Sequence, residues 1–347
     1  MKILHTSDIH IREYEDESWK TFESLVRIGA EENIDVFVIS GDFFDKKVSF
    51  VKLYSEIRPL LNSVKYEFVI IPGNHDENAF AVDAFLGEKV KVIRKLTEPF
   101  EYRDVRFFGF PFTNITSEQV RKNLRKVKDL ADENKTNILL FHGELLDHSF
   151  AGSDFGDEES NYMGLRLSFL NNLNIKYVLA GHFHTNFQAY EYDSGGYFVY
   201  PGSPVSITRK ETGKRAVNVF EVGKVPAPYP VDTPYYEQVK LAVYPDEDQG
   251  KIIENIKSKI EGISKQAKML VSLTGYTQEE EENFHKRVKE LEYEFRNLEI
   301  RDKVRGIKNL YDDELFTAFI EKLEKLKHPR QRAIKRLLIR SMLESEE

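Results

Sequence analysis

Five short apolar runs in the first half of the chain each lead directly into a small polar cluster. Lys2–His5 is followed by Asp8-Ile9-His10, and Val36–Ser40 by Gly41-Asp42. Phe68–Ile71 is followed by Gly73-Asn74-His75-Asp76, Ile138–Phe141 by His142-Gly143, and Tyr177–Ala180 by Gly181-His182-Phe183-His184. The runs are short, rich in β-branched and aromatic residues, and bounded by Gly, Asp or Pro, which predicts buried strands. Amphipathic helical patterns lie between them at 19–32, 49–62 and 117–134, so the expected fold is a layered α/β domain. Further runs at 106–110, 187–192, 197–200 and 216–222 lack long helices between them. They predict added antiparallel strands and hence a two-sheet αββα sandwich.

In an open α/β sheet, ligands bind beyond the carboxyl ends of the strands. The five clusters are therefore expected on one rim, although they span positions 8 to 184. Of nine histidines, five (10, 75, 142, 182 and 184) fall in these clusters, and His5, His148, His285 and His328 do not. Asp8, His10, Asp42, Asn74, His142, His182 and His184 are all metal-ligand residue types. Hydrolysing a phosphodiester requires an activated water and stabilisation of charge on the phosphoryl oxygens, and two metal ions can supply both. A bridging carboxylate would hold such a pair, and Asp42 is the natural candidate. Imidazoles suit transition metals, while carboxylate and amide oxygens suit Mg or Mn, so the mixed set points to Mn first, with Fe, Zn or Mg as alternatives. The chain has no cysteine, which excludes disulfides and thiolate ligation.

The ordered set D-x-H, GD, GNHD, H and GHFH resembles the calcineurin-like metallophosphoesterase superfamily over residues 1 to about 185. Within it, HTSDIH, GDFFD at 41–45 and YPGSPVSI at 200–207 resemble the SbcD type of DNA double-strand-break repair nuclease. The resemblance implies that Asp8, His10 and His184 bind one metal, that Asn74, His142 and His182 bind the other, and that Asp42 bridges them. It also implies that His75 contacts the scissile phosphate or protonates the leaving oxygen. Asp76 either orients His75 or caps the next helix. Archaeal and eukaryotic relatives carry a histidine three residues after the bridging aspartate. Asp45 stands there in this chain, as in SbcD-type members, and is expected on the substrate side together with Arg209 and Lys210. The activity implied is Mn-dependent exonuclease action on double-stranded DNA and endonuclease action on single-stranded DNA, in a homodimer with an SbcC-type SMC-like ATPase partner. A small-substrate phosphodiesterase or phosphatase of the same superfamily is the alternative, and a scaffold that has lost the chemistry is a third reading.

The expected domains are a nuclease domain at 1–225, an α+β capping domain for DNA at 232–305 and a two-helix partner-docking segment at 306–347. Residues 224–234 hold four prolines and read as a stiff linker. Beyond it, strands are predicted at 238–244, 268–273 and 295–300, with helices at 246–262 and from Thr277. Thr277 and Glu280 match a capping box. The last two helices carry Leu315, Phe316, Phe319, Ile320 and Leu323, then Ile334, Leu337, Leu338 and Leu343, either as their own core or as a docking face. Phe50, Leu53, Phe80 and Phe85, on helices at 50–62 and 79–86, are either a homodimer face or ordinary core. Residues 143–163 read as a solvated loop or a lid. The basic run at 121–128 is a solvated helix face or a phosphate contact, and those at 208–215 and 327–340 are solvated, DNA-facing or partner-facing.

The net charge of −8 argues against a surface coated for nucleic acid but leaves room for local basic patches. No apolar run approaches the roughly 18–20 residues that span a bilayer. MKILHTSDIH is not a signal sequence, so a cytoplasmic, nucleoid-associated location is expected. No G-x4-G-K-[ST] loop occurs, and any ATP dependence would come from a partner.

Overall fold

The apolar runs become strands because nearly every side chain in them, on both faces, finds a packing partner. In the computed structural model, which describes all residues except 47, 49, 77, 78, 81–84, 149–162, 279, 327, 328, 346 and 347, the chain forms two compact units, Met1–Tyr235 and Tyr236–Glu347. The first unit holds β1 (Lys2–Thr6), β2 (Val36–Ser40), β3 (Glu67–Ile71), β4 (Val90–Val92), β5 (Phe100–Tyr102) and β6 (Val105–Phe110). These are followed by β7 (Thr136–His142), β8 (Tyr177–Gly181), β9 (Gln188–Tyr192), β10 (Gly196–Tyr200), β11 (Ala216–Glu221) and β12 (Pro228–Pro230). They make two six-stranded sheets, ordered β12-β11-β1-β2-β3-β4 and β5-β6-β7-β8-β10-β9.

Alternation along β2 shows how the layers assemble. Val36 and Val38 join Ile3, Val69 and Ile71 in a core shared with Phe107, Ile138, Leu140, Tyr177 and Leu179 of the other sheet. Phe37 and Ile39 point the opposite way, into a core with Trp19, Phe22 and Leu25 of α1 (Glu17–Glu31) and Leu53, Ile57 and Leu61 of α2 (Phe50–Asn62). The outer face of the second sheet packs Leu139, Phe141 and Val178 against Val120, Leu124 and Val127 of α3 (Ser117–Leu130). The expected αββα sandwich is thereby formed. Ser40 Oγ donates to Leu179 O at 2.8 Å and ties the two sheets together just below the rim.

The antiparallel expectation for the later strands needs correction. β9 and β11 pair antiparallel, with β10 and β1 respectively, but β6 runs parallel to β7 and β10 parallel to β8. After β8 the chain moves out to the sheet edge as β9 and returns, so β10 enters beside β8 in the same direction. The expected linker is also structured. Pro228–Pro230 pairs with β11 as an edge strand, the one sheet position where missing N–H donors cost little. Tyr229 OH donates to Glu32 Oε1 at 3.1 Å, and Thr233 Oγ1 to Pro204 O at 2.5 Å.

The second unit contains β13 (Tyr235–Val243), α4 (Gln249–Glu261), β14 (Ala267–Thr277), α5 (Glu281–Glu294) and β15 (Leu298–Gly306). It ends with α6 (Ile307–Tyr311), α7 (Glu314–Lys325) and α8 (Gln331–Ser345). Its sheet is ordered β13-β14-β15, with β14 and β15 parallel. Thr277 is not the N-cap expected of it, because β14 runs on to Thr277 and Glu280 occupies the N-cap of α5 without a side-chain hydrogen bond. A capping box does form at Thr116 and Gln119 of α3. Residues 306–347 belong to the second unit. Phe316, Ile320 and Leu323 of α7 and Ile339 of α8 bury with Tyr276 and Leu310, whereas Leu315, Phe319 and Leu337 are exposed. The side chain of Leu343 and the expected break residue His328 lie outside the described residues.

Leu53 and Phe80 belong to the first unit's core, Phe50 packs against it, and Phe85 is exposed. Of the helix expected at 79–86, residues 81–84 lie outside the described residues and residues 79, 80, 85 and 86 are not helical; most of the loop at 143–163 also lies outside the described residues. Among the described residues, no helix is long and apolar enough to cross a membrane.

Candidate active site

The rim where β1, β2, β3, β7 and β8 end gathers the predicted polar side chains. Four of them sit in the left-handed backbone region that residues with a Cβ seldom adopt: Asp8 (φ 54°), His10 (φ 53°), Asp42 (φ 50°) and His182 (φ 91°). Each such residue costs on the order of 1 kcal/mol and persists where the surroundings over-determine it. Here the surroundings are a backbone lattice. Asp8 N donates to Gly41 O at 3.1 Å, Ile9 N and His10 N to Asp42 O at 2.9 and 3.0 Å, and Ile11 N to Phe43 O at 3.0 Å. Gly41 (φ 91°) is required twice over, since a Cβ there would also collide with the His142 ring. A Cβ on Gly73 would collide with the Asp42 carboxylate.

Side chains and backbone then interlock. Both carboxylate oxygens of Asp8 accept from His182 N, at 3.0 and 3.1 Å. Asp42 Oδ1 accepts from His75 N at 2.8 Å, while Asp42 Oδ2 lies 3.3 Å from His142 Nε2 and 3.8 Å from His10 Nε2. Asn74 Oδ1 is 2.9 Å from His142 Nε2, and His142 Nδ1 is 2.8 Å from Ser40 O. His184 Nε2 is 3.7 Å from Asp8 Oδ1. The rings of His142 and His182 lie 5.4 Å apart.

Three sets of donor atoms converge within 4.8 Å: Asp8, His10 and His184; Asp8, Asp42 and His142; and His10, Asp45 and His75. Asp8, His10, Asp42, His142, His182 and His184 are buried, whereas Asn74 and His75 are half-buried. His10 Nε2 is buried and makes no hydrogen bond among the described residues. Two buried carboxylates facing neutral-capable imidazoles are costly without a compensating cation. The donor set fits two divalent ions, with Asp42 between the groups. The Asp42 charge is felt by His142 and Asp76, while burial prevails at His10. Burial lowers His10 to about 4, but the Asp42 carboxylate overrides burial and raises His142 to about 10. Burial and the Asp42 charge raise Asp76 to about 7.

Four roles were not read from the sequence. Among the described residues, the Asp76 side chain bonds backbone N–H groups and not the His75 ring. The Asp76 carboxylate accepts from Gly73 N at 2.6 Å and Phe43 N at 2.7 Å, stitching the GNHD turn to the GDFFD turn. Asp45, expected on the substrate side, has its carboxylate engaged by His75 Nδ1 at 2.8 Å and Arg12 Nε at 2.6 Å. Burial disfavours its charge, but these partners hold it below the usual carboxylate range. Glu211 and Arg215, inside a run that reads as basic and solvated, are both buried. Arg215 donates to Ser203 O at 2.8 Å and to His184 O, and Ser203 Oγ donates to Asp8 O at 2.7 Å. The YPGSP segment therefore packs directly behind the rim. Arg209 and Lys210 lie on the same loop, outside the clustered donors, and both are exposed.

The calcineurin-like phosphoesterase family model matches residues 1–186. The chain belongs to this family. This phosphoesterase is 27% identical over 252 residues to the DNA double-strand break repair protein Mre11 of Sulfurisphaera tokodaii, covering 65% of the chain and 61% of that relative. It is 24% identical over 278 residues to the Mre11 protein of Saccharolobus solfataricus, covering 75% of the chain and 68% of that relative. The phosphoesterase thus spans about three fifths of the first relative's length. Among solved structures, the TT1561 protein of Thermus thermophilus aligns at a TM-score of 0.42 and 14% identity, over 62% of this chain and 92% of that one. A dimetal phosphatase from Danio rerio aligns at 0.44 and 12% identity, over 63% and 91%.

Proposed function

We propose that this phosphoesterase is a Mn-dependent DNA nuclease of double-strand-break repair, cutting double-stranded DNA as an exonuclease and single-stranded DNA as an endonuclease. One observation carries the DNA part. The first unit is 235 of 347 residues, about 68% of the chain, yet the alignment to the Saccharolobus repair protein covers 75%. The likeness therefore reaches into the second unit, for which a small-substrate phosphatase has little use.

In this reading Asp8, His10 and His184 hold one ion, Asn74, His142 and His182 hold the other, and Asp42 bridges them. When bound, the ions supply an activated water and charge stabilisation at the phosphoryl oxygens. Mn is the proposed metal, with Mg, Fe or Zn as substitutes. The chain's own contribution is orientation. The left-handed turns aim the ligands, and Asp45 holds His75 Nδ1 so that the opposite ring nitrogen, Nε2, presents to the phosphate or the leaving oxygen. A proton delivered from that atom is worth roughly 10²–10⁴ in rate. Arg209 and Lys210, both exposed, would contact the DNA backbone in this reading.

The proposed assembly is a homodimer with an SbcC-type SMC-like ATPase in the cytoplasm, on the nucleoid. The domain roles follow: residues 1–225 as nuclease, 232–305 as DNA cap and 306–347 as the docking segment. The exposed apolar residues Leu315, Leu326 and Leu337 support the last role. The test is His75→Ala with DNA and Mn. DNA cutting should fall by roughly 100-fold or more while bound metal stays constant. Loss of metal together with activity would make His75 a ligand instead. Unimpaired turnover of a chromogenic phosphodiester by wild type, with no cutting of either DNA form, would favour the small-substrate reading.

A further inference from the structure

We propose that Glu211 is a positioning residue that sets the affinity of one of the two ion positions, the one made by Asp8, His10 and His184. The proposal rests on the two-ion reading of the site. Its starting point is an anomaly: a run of basic and polar residues, TRKETGKR at 208–215, buries a carboxylate. A buried carboxylate is costly unless its oxygens are satisfied, and those of Glu211 are well supplied. Oε2 accepts from Ile207 N at 2.8 Å, and Oε1 accepts from Thr208 N and Thr208 Oγ1, each at 3.1 Å. Ser206 Oγ anchors its backbone, donating to Glu211 O at 2.6 Å.

The fourth partner gives this arrangement its consequence. Glu211 Oε1 lies 3.3 Å from His184 Nδ1. A carboxylate is acceptor-only, so the proton of a neutral His184 sits on Nδ1. The lone pair then sits on Nε2, the atom that faces Asp8 Oδ1 at 3.7 Å. The same contact fixes the ring plane and makes the imidazole more electron-rich. A partner of this kind on a ligating histidine typically changes metal affinity by roughly 10–100-fold. Arg215 completes the brace from behind by donating to His184 O and Ser203 O, so ring and backbone of His184 are held by one segment.

The opposite half of the site is braced differently. His142 Nδ1 is 2.8 Å from the backbone carbonyl of Ser40, a neutral acceptor that no side-chain substitution removes. Affinity at the Asp8–His10–His184 position therefore depends on residue 211, and affinity at the position with His142 does not.

The experiment is an equilibrium titration of the full chain, stripped by chelator, with Mn²⁺ followed by the paramagnetic resonance of free ion. Wild type should bind two equivalents. In Glu211→Gln one equivalent should weaken by about 10-fold or more while the other stays within about 2-fold, and Glu211→Ala should weaken the same one further. In a His184→Ala background, Glu211→Gln should add no further weakening, because the partner it acts through is gone. Unchanged affinities in Glu211→Gln, equal weakening of both equivalents, or full additivity with His184→Ala would overturn the proposal. A lower melting temperature with unaltered Mn²⁺ affinities would do the same, by reducing Glu211 to a structural residue. Should Glu211→Ala fail to fold, Glu211→Gln decides the matter alone. A wild type that binds no Mn²⁺ would overturn the two-ion reading itself, a result distinct from all of these.

Discussion

The two units break the ordinary rule of burial in opposite directions. The first hides charge: Asp8, Asp42 and Glu211 are buried with four imidazoles at one end of its sheets. The second displays apolar surface. Leu315 is 79% exposed, Leu326 74% and Leu337 67%, on helices whose other faces carry a proper core of Phe316, Ile320 and Leu323. A buried polar group is the informative exception in any fold, whereas exposed apolar side chains count by their number, and among the described residues the second unit has more of them than the first. The contrast is what the proposed function expects, with chemistry in the first unit and contact in the second. Basic residues follow the same division. Arg332 and Arg336 of α8 are engaged by Asp246, so part of the basic run at 327–340 is neutralised within its own unit.

The largest expected effect breaks the first half of the contrast. Asp42→Asn keeps the shape of the site and removes the bridging charge, so phosphodiester hydrolysis should fall by roughly 10³-fold or more, with the circular-dichroism spectrum intact. Retained activity would refute the central place given to Asp42. Next comes a core probe of the second unit. Phe316→Ala should destabilise it by about 3–5 kcal/mol in denaturant titration and leave Mn²⁺ binding by the first unit unchanged. A parallel loss of metal would show that the two units do not divide the labour. Smaller is Asp76→Ala, which strands the Gly73 and Phe43 N–H groups and should cost about 2–4 kcal/mol, read as a lower melting temperature of the first unit.

A pH effect sharpens the contrast from the other side, because the second unit has a titrating pair of its own. Burial lowers His285, but Asp302, 2.6 Å from Nδ1, and Glu281, 3.4 Å from Nε2, override it and raise its pKa. Folding therefore favours the protonated form. The stabilisation is fully present below the unfolded value of about 6.5 and disappears as pH rises through the folded value. The melting difference between wild type and His285→Gln should be clear at a pH of about 5 and absent at about 9. A pH-independent difference would contradict the assignment. The smallest effect on stability is expected for Leu326→Ser with Leu337→Ser, within about 0.5 kcal/mol per site, since both are already exposed.

The sequence showed the site more fully than its supports. Asp8, His10, Asp42, His142, His182 and His184 were legible because strand ends are a short-range signal. Each lies within a few residues of an apolar run that had to be a strand. The supports are long-range. Arg12, Asp45 and His75 meet across 33 and 30 positions of sequence, and no local pattern announces such a meeting. Glu211 was hidden by its neighbours, since a carboxylate among Arg and Lys reads as a solvated ion pair until its burial is seen. Thr277 misled for the reverse reason. Its spacing to Glu280 satisfied a local rule, but pairing of β14 with β15 continued through it and took precedence. The proline segment at 224–234 read as a linker because proline punctuates, yet an edge strand tolerates it.

The most direct test is cleavage of single- and double-stranded DNA by the purified full chain, in Mn²⁺ and after chelation. The expected result is Mn²⁺-dependent cutting of both forms that chelation abolishes and Asp42→Asn lacks. Cutting that survives chelation, or hydrolysis of a small phosphodiester with both DNA forms left whole, would contradict the assignment of a two-metal DNA nuclease.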